Sequence, residues 1–134
     1  MPEQRARKYH QDRVAETLRE EIGAMIEGEL SDPRIASAYV TQVLLNPGGK
    51  SALIYVAVDD SAGEVQDIEA REKGTIEGLM AARGYIRHEL LERMGVRHVP
   101  ELMFHIDRSE RMTARVEELL ERQKRRQKKT AEAH

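Results

Sequence analysis

Three groups of residues in this chain have types and spacings that could do chemistry, and each also has a plainer use. Gly49-Lys50-Ser51 carries the last three letters of a phosphate-binding loop, whose backbone N–H groups cradle phosphates ahead of a helix. The glycine that such a loop needs five positions before Gly49 is Leu44, and a strand-like run follows in place of a helix, so the segment reads as a hairpin turn. Asp59, Asp60 and Glu64 follow a strand, where a metal-dependent enzyme would keep its carboxylates. Acids in the first turn of a helix equally offset its dipole and cap its free N–H groups, and that use is the commoner one. The histidines His10, His88, His98, His105 and His134 form no HxxxH or HExxH pair. The chain has no cysteine, which excludes thiolate zinc sites, iron–sulfur clusters, disulfides and cysteine nucleophiles together. No nucleophile elbow is present either. The expectation is a chain with no catalytic residue, no metal and no cofactor.

What remains is cationic chemistry. Arg83 and Arg87 lie one helical turn apart, so both can project from one exposed corner while Ile86, Leu90 and Leu91 face a core. If the helix breaks at Gly84, the free N–H groups of the next segment add a second attraction for phosphate. The net charge of -2 hides a strong segregation. Arg122, Lys124, Arg125, Arg126, Lys128 and Lys129 run without an acid, whereas seven acids against Arg71 and Lys73 fill the stretch from Asp59 to Glu77. Such blocks suit a protein that turns one face to phosphates and another to water.

The elements that must position these residues follow from periodicity. Val14, Leu18, Ile22, Met25, Ile26 and Leu30 recur at helical spacing and predict a long amphipathic helix, ended by Ser31-Asp32-Pro33 because a proline ring cannot continue the ladder. Ala38 to Leu45 and Ser51 to Val58 read as strands joined through Asn46-Pro47-Gly48-Gly49, a β-hairpin. Helical spacing returns at Val65, Ile68, Ile76, Leu79 and Met80, meets Ala82-Arg83-Gly84, and resumes at Ile86, Leu90, Leu91 and Met94, which predicts helix, kink, helix. Gly95 stops this piece. Leu102, Phe104 and Ile106 alternate as a half-buried strand does, and Asp107 or Ser109 caps a last helix with Met112, Val116, Leu119 and Leu120 on its apolar side. The class is therefore α+β, with helices packed on one face of a small three-stranded sheet. At 134 residues this is one domain, 1–121, followed by a basic tail, 122–134, expected to fray or stay disordered. The longest apolar run, Ala52 to Val58, is far short of a bilayer span, and the basic start MPEQRARKYHQDR has no apolar stretch behind it, so the chain reads as cytoplasmic.

Three segments resemble one known family. Asp32-Pro33-Arg34 after the first helix, Ala82-Arg83-Gly84-Tyr85-Ile86-Arg87 at the predicted kink, and Val96 to Asp107 with its Arg97-x-x-Pro100-Glu101-Leu102-x-Phe104-x-x-Asp107 pattern look like ribosome-binding factor A, in the correct order from about Arg5 to Leu120. The resemblance implies a type II KH-like domain, with Ala-x-Gly where ordinary KH domains carry Gly-x-x-Gly. It further implies a non-enzymatic role in late maturation of the small ribosomal subunit and rRNA processing, associated with growth in the cold.

By the same resemblance, RNA contacts centre on Ala82, Arg83, Gly84 and Arg87, helped by the basic N-terminal residues Arg5, Arg7, Lys8 and Arg13. Asp32, Pro33, Arg34, Pro100 and Glu101 match the pattern as structural positions. The Asn46 to Lys50 turn departs from it, since many members have an Asp-Leu pair there. The partners expected are the small subunit and its rRNA, with no membrane and no small-molecule substrate, and the free protein is expected to be monomeric. Two other readings stay open on the residues alone. One is a helix-mediated protein adaptor or dimer, which would leave apolar residues exposed on the first or last helix. The other is a carboxylate metalloenzyme built on Asp59, Asp60 and Glu64.

Overall fold

The computed structural model describes the backbone of residues 2–59 and 65–133 and the side chains of residues 10–59 and 67–131. Helix α1, Pro2–Ala24, passes into a single π turn, Met25–Glu29, closed by the Leu30 N–H donating to the Met25 carbonyl at 2.8 Å. Leu18, Ile22, Met25 and Ile26 recur on one side and are buried. The chain then turns sharply through a 3-10 turn, Pro33–Ile35, which Asp32 caps by accepting from the Arg34 N–H at 2.9 Å. The Arg34 guanidinium returns to the same carboxylate at 2.6 Å, so Asp32, Pro33 and Arg34 build the turn that seats buried Ile35 under the next helix.

Strands β1, Ala38–Leu45, and β2, Ser51–Val58, form the expected antiparallel hairpin, with Gly48 and Gly49 at positive φ in its tip. Lys50 and Ser51 thus belong to a hairpin, as their failed match to a phosphate loop predicted. Strand β3, Glu101–Ile106, adds to β2 in parallel, pairing Ser51 with Glu101, and the sheet order is β1-β2-β3. Ala52, Ile54, Val56, Leu102 and Phe104 point into the core beneath α1 and the second helix. Leu44, Leu53 and Met103 form one cross-strand row on the outer face.

Helix α2 runs without interruption from Val65 to Met94. The predicted kink at Ala82-Arg83-Gly84 is not there, and the correction has an energetic reason. A glycine inside a helix costs about 1 kcal/mol relative to alanine, whereas Leu79, Ile86 and Leu90 are fully buried on one stripe that spans Gly84. Each contributes roughly 1.5–3 kcal/mol by burial, and a break between them would turn part of the stripe away from the core. Gly95, at φ 63°, ends the helix as expected.

Helix α3, Ser109–Ala133, leaves the far end of the sheet. Its start is clasped by polar contacts: Tyr39 Oη donates to Glu110 at 2.9 Å and Thr41 Oγ1 donates to Asp107 at 2.7 Å. Thr41 is free to do so because a bulge in β1 falls between Val40 and Gln42. Buried Glu72, from the acidic half of α2, places Oε1 3.4 Å from Arg111 and 3.5 Å from Arg108. Beyond this clasp Met112, Val116, Leu119 and Leu120 are all more than half exposed. The basic segment expected to fray is helical to Ala133, with Glu118–Arg122 and Glu121–Arg125 pairs one turn apart.

The clasp carries a pH dependence. Hydrogen bonds from Ser109 and Thr41 hold the Asp107 carboxyl below its ordinary value near 3.8. Because the folded pKa is the lower one, the stabilisation is complete above pH 4 and is lost as pH falls through the depressed value. Thermal melts at pH 7 and pH 3 should therefore show a smaller acid-induced drop in Asp107→Asn than in the wild type; an equal drop would mean that the clasp does not hold the carboxylate.

Candidate nucleic-acid interface

The hairpin tip, the middle of α2 and the start of β3 meet at one end of the molecule. Parallel pairing of β2 with β3 starts both strands there, and the Glu101 N–H donates to the Lys50 carbonyl at 2.9 Å. Between these segments lies a groove of about 520 Å3. Lys50, Arg83 and Arg87 are its cations, Met80, Val99 and Leu102 its apolar wall, and Glu101 its one acid.

Availability separates these cations from the others. Among the described residues, Arg83, Arg87 and Lys50 enter no ion pair or side-chain hydrogen bond. Arg93, two turns further along α2, is shared by Glu29 at 2.7 Å, Glu89 at 3.3 Å and Glu21 at 3.5 Å, which push its pKa upward. Arg34, Arg108, Arg111 and Arg122 are likewise engaged with carboxylates. An arginine already paired has little left for a phosphate; the groove arginines keep their full donor set.

Gly84 lies on the same face, and a Cβ built there meets nothing within 4 Å. The fold has no steric use for that glycine, so the helix leaves its backbone bare beside Arg83 and Arg87. The N–H groups after Gly84 are spent in the helical ladder, however, and offer no separate phosphate site; attraction here comes from side chains. Ala82 is half-buried and packs against the core.

The first half of α1 approaches this end as well. His10, Gln11 and Val14 line a neighbouring cavity of about 320 Å3 with Gly48, Gly49 and His98. Arg13 is exposed on that helix. Arg5, Arg7 and Lys8 lie upstream on it, their side chains outside the described residues. The acidic stretch is at the opposite end, since Asp59 follows the far end of β2 and Asp67 and Glu69 lie in the first turns of α2.

Of the carboxylates considered for a metal, the Asp59 carbonyl accepts from Arg71, and Asp60 and Glu64 lie outside the described residues. Among the described residues no group of three or more His, Cys, Asp or Glu could hold a metal ion. His105 stacks at a tilt on Tyr55 on the outer sheet face, and His88 sits 3.3 Å from Glu92. No helix among the described residues is long and apolar enough to cross a membrane.

Sequence reasoning did not place Lys50 beside Arg83 and read Glu101 as structural; both line the groove. The available signal was the strand pattern itself: once β3 is placed parallel beside β2, the residues that begin the two strands become neighbours.

Comparison with known proteins yields one consistent family. The family model described as ribosome-binding factor A matches residues 10–120. The ribosome-binding factor A of Koribacter versatilis is 52% identical over 126 residues, covering 94% of this chain and 97% of that protein. That of Solibacter usitatus is 38% identical over 113 residues, covering 84% and 86%. The crystal structure of ribosome-binding factor A from Thermus thermophilus is similar in fold, with a TM-score of 0.60 at 23% identity over 72% of this chain and 93% of that one.

Proposed function

The chain belongs to the ribosome-binding factor A family, and on that premise we propose that it binds the precursor of the small ribosomal subunit and its rRNA during late maturation and rRNA processing, without catalysis, through the groove at Arg83, Gly84 and Arg87. The observation that carries this reading is the set of unpaired cations beside a glycine that the fold does not need. Arg13 and the Arg5, Arg7 and Lys8 segment of α1 extend the basic surface, and the acidic end of α2 turns away and limits indiscriminate binding. Such a factor acts in the cytoplasm as a monomer, and it shifts the population of an rRNA conformation by differential affinity alone.

Co-sedimentation with immature subunits, mature small subunits and complete ribosomes over a salt series tests the reading. Neutralising four to six phosphates gives a slope of log K against log salt of roughly -3 to -5. Salt-sensitive association, strongest for precursors, is the expected result. No association with any ribosomal fraction at low salt would overturn it.

The exposed Met112, Val116, Leu119 and Leu120 stripe of α3 favours a second reading, a helix-mediated adaptor or dimer. Its complex would form equally well at low and high salt and would survive loss of the groove arginines.

A further inference from the structure

Two apolar surfaces of this chain lie open to solvent on either side of one short turn. The first is the outer face of the sheet. Helices α1 and α2 pack on the other face, while Leu44, Leu53 and Met103 run across all three strands of this one, with Leu44 43% and Met103 41% exposed. The second is the stripe of α3, where Met112, Val116, Leu119 and Leu120 recur at the spacing of one helix face. Only Asp107 and Arg108 separate β3 from α3.

The two surfaces match in length and in charge. The six residues of β3 reach about 20 Å at roughly 3.3 Å per residue. Along a helix that rises about 1.5 Å per residue, Met112 lies about 5 Å from the start of α3, Val116 about 10 Å and Leu120 about 17 Å, so the stripe ends where the sheet ends. Folded back antiparallel to β3, α3 would set Val116 and Leu119 over Met103, which lies about 10 Å back from Ile106. The basic run begins just beyond, at Arg122. At that edge stands Glu101, exposed and without an ion pair among the described residues, its side chain on the outer face with Met103 by strand alternation. The cations of the folded-back helix would therefore arrive at an acid.

What holds α3 in its present direction is polar and confined to its start. A pivot at Asp107 and Arg108 gives up the Tyr39–Glu110 hydrogen bond and the approaches of Arg108 and Arg111 to Glu72, at 3.5 and 3.4 Å, in which the buried Glu72 Oε1 accepts no hydrogen bond. In exchange it takes the stripe and the cross-strand row out of water together. We propose that α3 is a hinged arm with a second position, folded over the outer face of the sheet with its stripe on Leu44, Leu53 and Met103. Closing carries the basic run from the far end of the sheet to the hairpin-tip end, where Lys50, Arg83 and Arg87 lie. The arm does not depend on what the groove binds.

The chain has no cysteine, so a pair of introduced cysteines reports the second position directly. Met103→Cys/Val116→Cys and Leu44→Cys/Leu119→Cys both use exposed positions, and melting curves like that of the wild type would show that the fold is kept. Treated at high dilution with a short rigid bismaleimide, both variants should form a cross-link within one chain. They should do so roughly tenfold or more faster than Met103→Cys/Thr130→Cys, whose second cysteine lies beyond the sheet in the closed arm and has a lower effective concentration. A rate no higher than that control in both variants would overturn the second position. Cross-links found only between two chains, in a yield that rises with protein concentration, would give the sheet face to a second copy and overturn it as well.

Discussion

Reversing both groove arginines, Arg83→Glu with Arg87→Glu, should weaken association with immature small subunits on the order of 100-fold at low salt and make its salt dependence shallower by about 1.4–1.8 units of slope. Each arginine that neutralises a phosphate releases a counterion, so removing two contacts lowers the slope by roughly 0.9 for each on a duplex and 0.7 on a single strand. Replacing the cations with anions adds repulsion to the lost attraction. The fold should be indifferent. Neither side chain has a partner to lose among the described residues; Arg87 is exposed and Arg83 half-buried, and surface substitutions that break no contact usually change stability by less than about 0.5 kcal/mol. Sedimentation across a salt series, beside thermal melts of the same protein, separates the two effects. A double variant that binds as the wild type does would place the interface elsewhere. Arg93→Glu is the informative contrast, since it breaks the contacts to Glu21, Glu29 and Glu89 and should lower the melting temperature while leaving the groove cations in place.

Two glycines six residues apart in α2 should respond to alanine with opposite signs. A Cβ at Gly78 would lie 2.8 Å from Ile35 Cγ1 and 3.3 Å from both Ile35 Cδ1 and the Asp32 carboxylate. Ile35 is fully buried within a capped turn and has nowhere to retreat. Overpacking of this kind costs about 1–3 kcal/mol, against a gain of about 1 kcal/mol in helix propensity, so Gly78→Ala should destabilise by up to about 2 kcal/mol. Gly84→Ala meets nothing within 4 Å and should stabilise by up to about 1 kcal/mol, a rise of roughly 3–5 °C in melting temperature. The same methyl group lies in the groove proposed to contact RNA, so on that reading this more stable variant should bind precursors less well. Melting curves and co-sedimentation of both variants check the pair. A Gly84→Ala protein that is stabilised and binds normally would show that the bare helix backbone is not approached by the partner.

The contrast between these glycines marks how far the chain can be read without its fold. Both strands of the hairpin were legible to the residue, because alternation of Val, Ile and Leu with less buried positions and the Asn46 to Gly49 turn are local signals. Gly95 was legible for the same reason: a helix stripe that stops at a glycine needs that residue in its φ 63° conformation. Gly84 was misread as a break. A glycine permits a kink without requiring one, and whether the helix bends is decided by what the flanking apolar residues can bury.

The sequence by itself determined the α+β class, the order of elements, the buried stripes of α1 and α2, and the unusual concentration of charge into blocks, since each depends on spacing along the chain. The tertiary structure alone decided that Gly78 is a contact point and Gly84 an open one, that Glu72 is buried against Arg108 and Arg111, and that the apolar side of α3 lies free. It also decided which cations are spent and which are free. Arg93 and Arg87 are neighbours on one helix with the same chemistry, yet three carboxylates from α1, the π turn and α2 converge on the first, and none among the described residues reaches the second. Lys50, Arg83 and Glu101 come together only because β3 pairs in parallel with β2 and α2 crosses above them. Those are contacts between distant parts of the chain, set by how the elements pack, and no local pattern of residues encodes them.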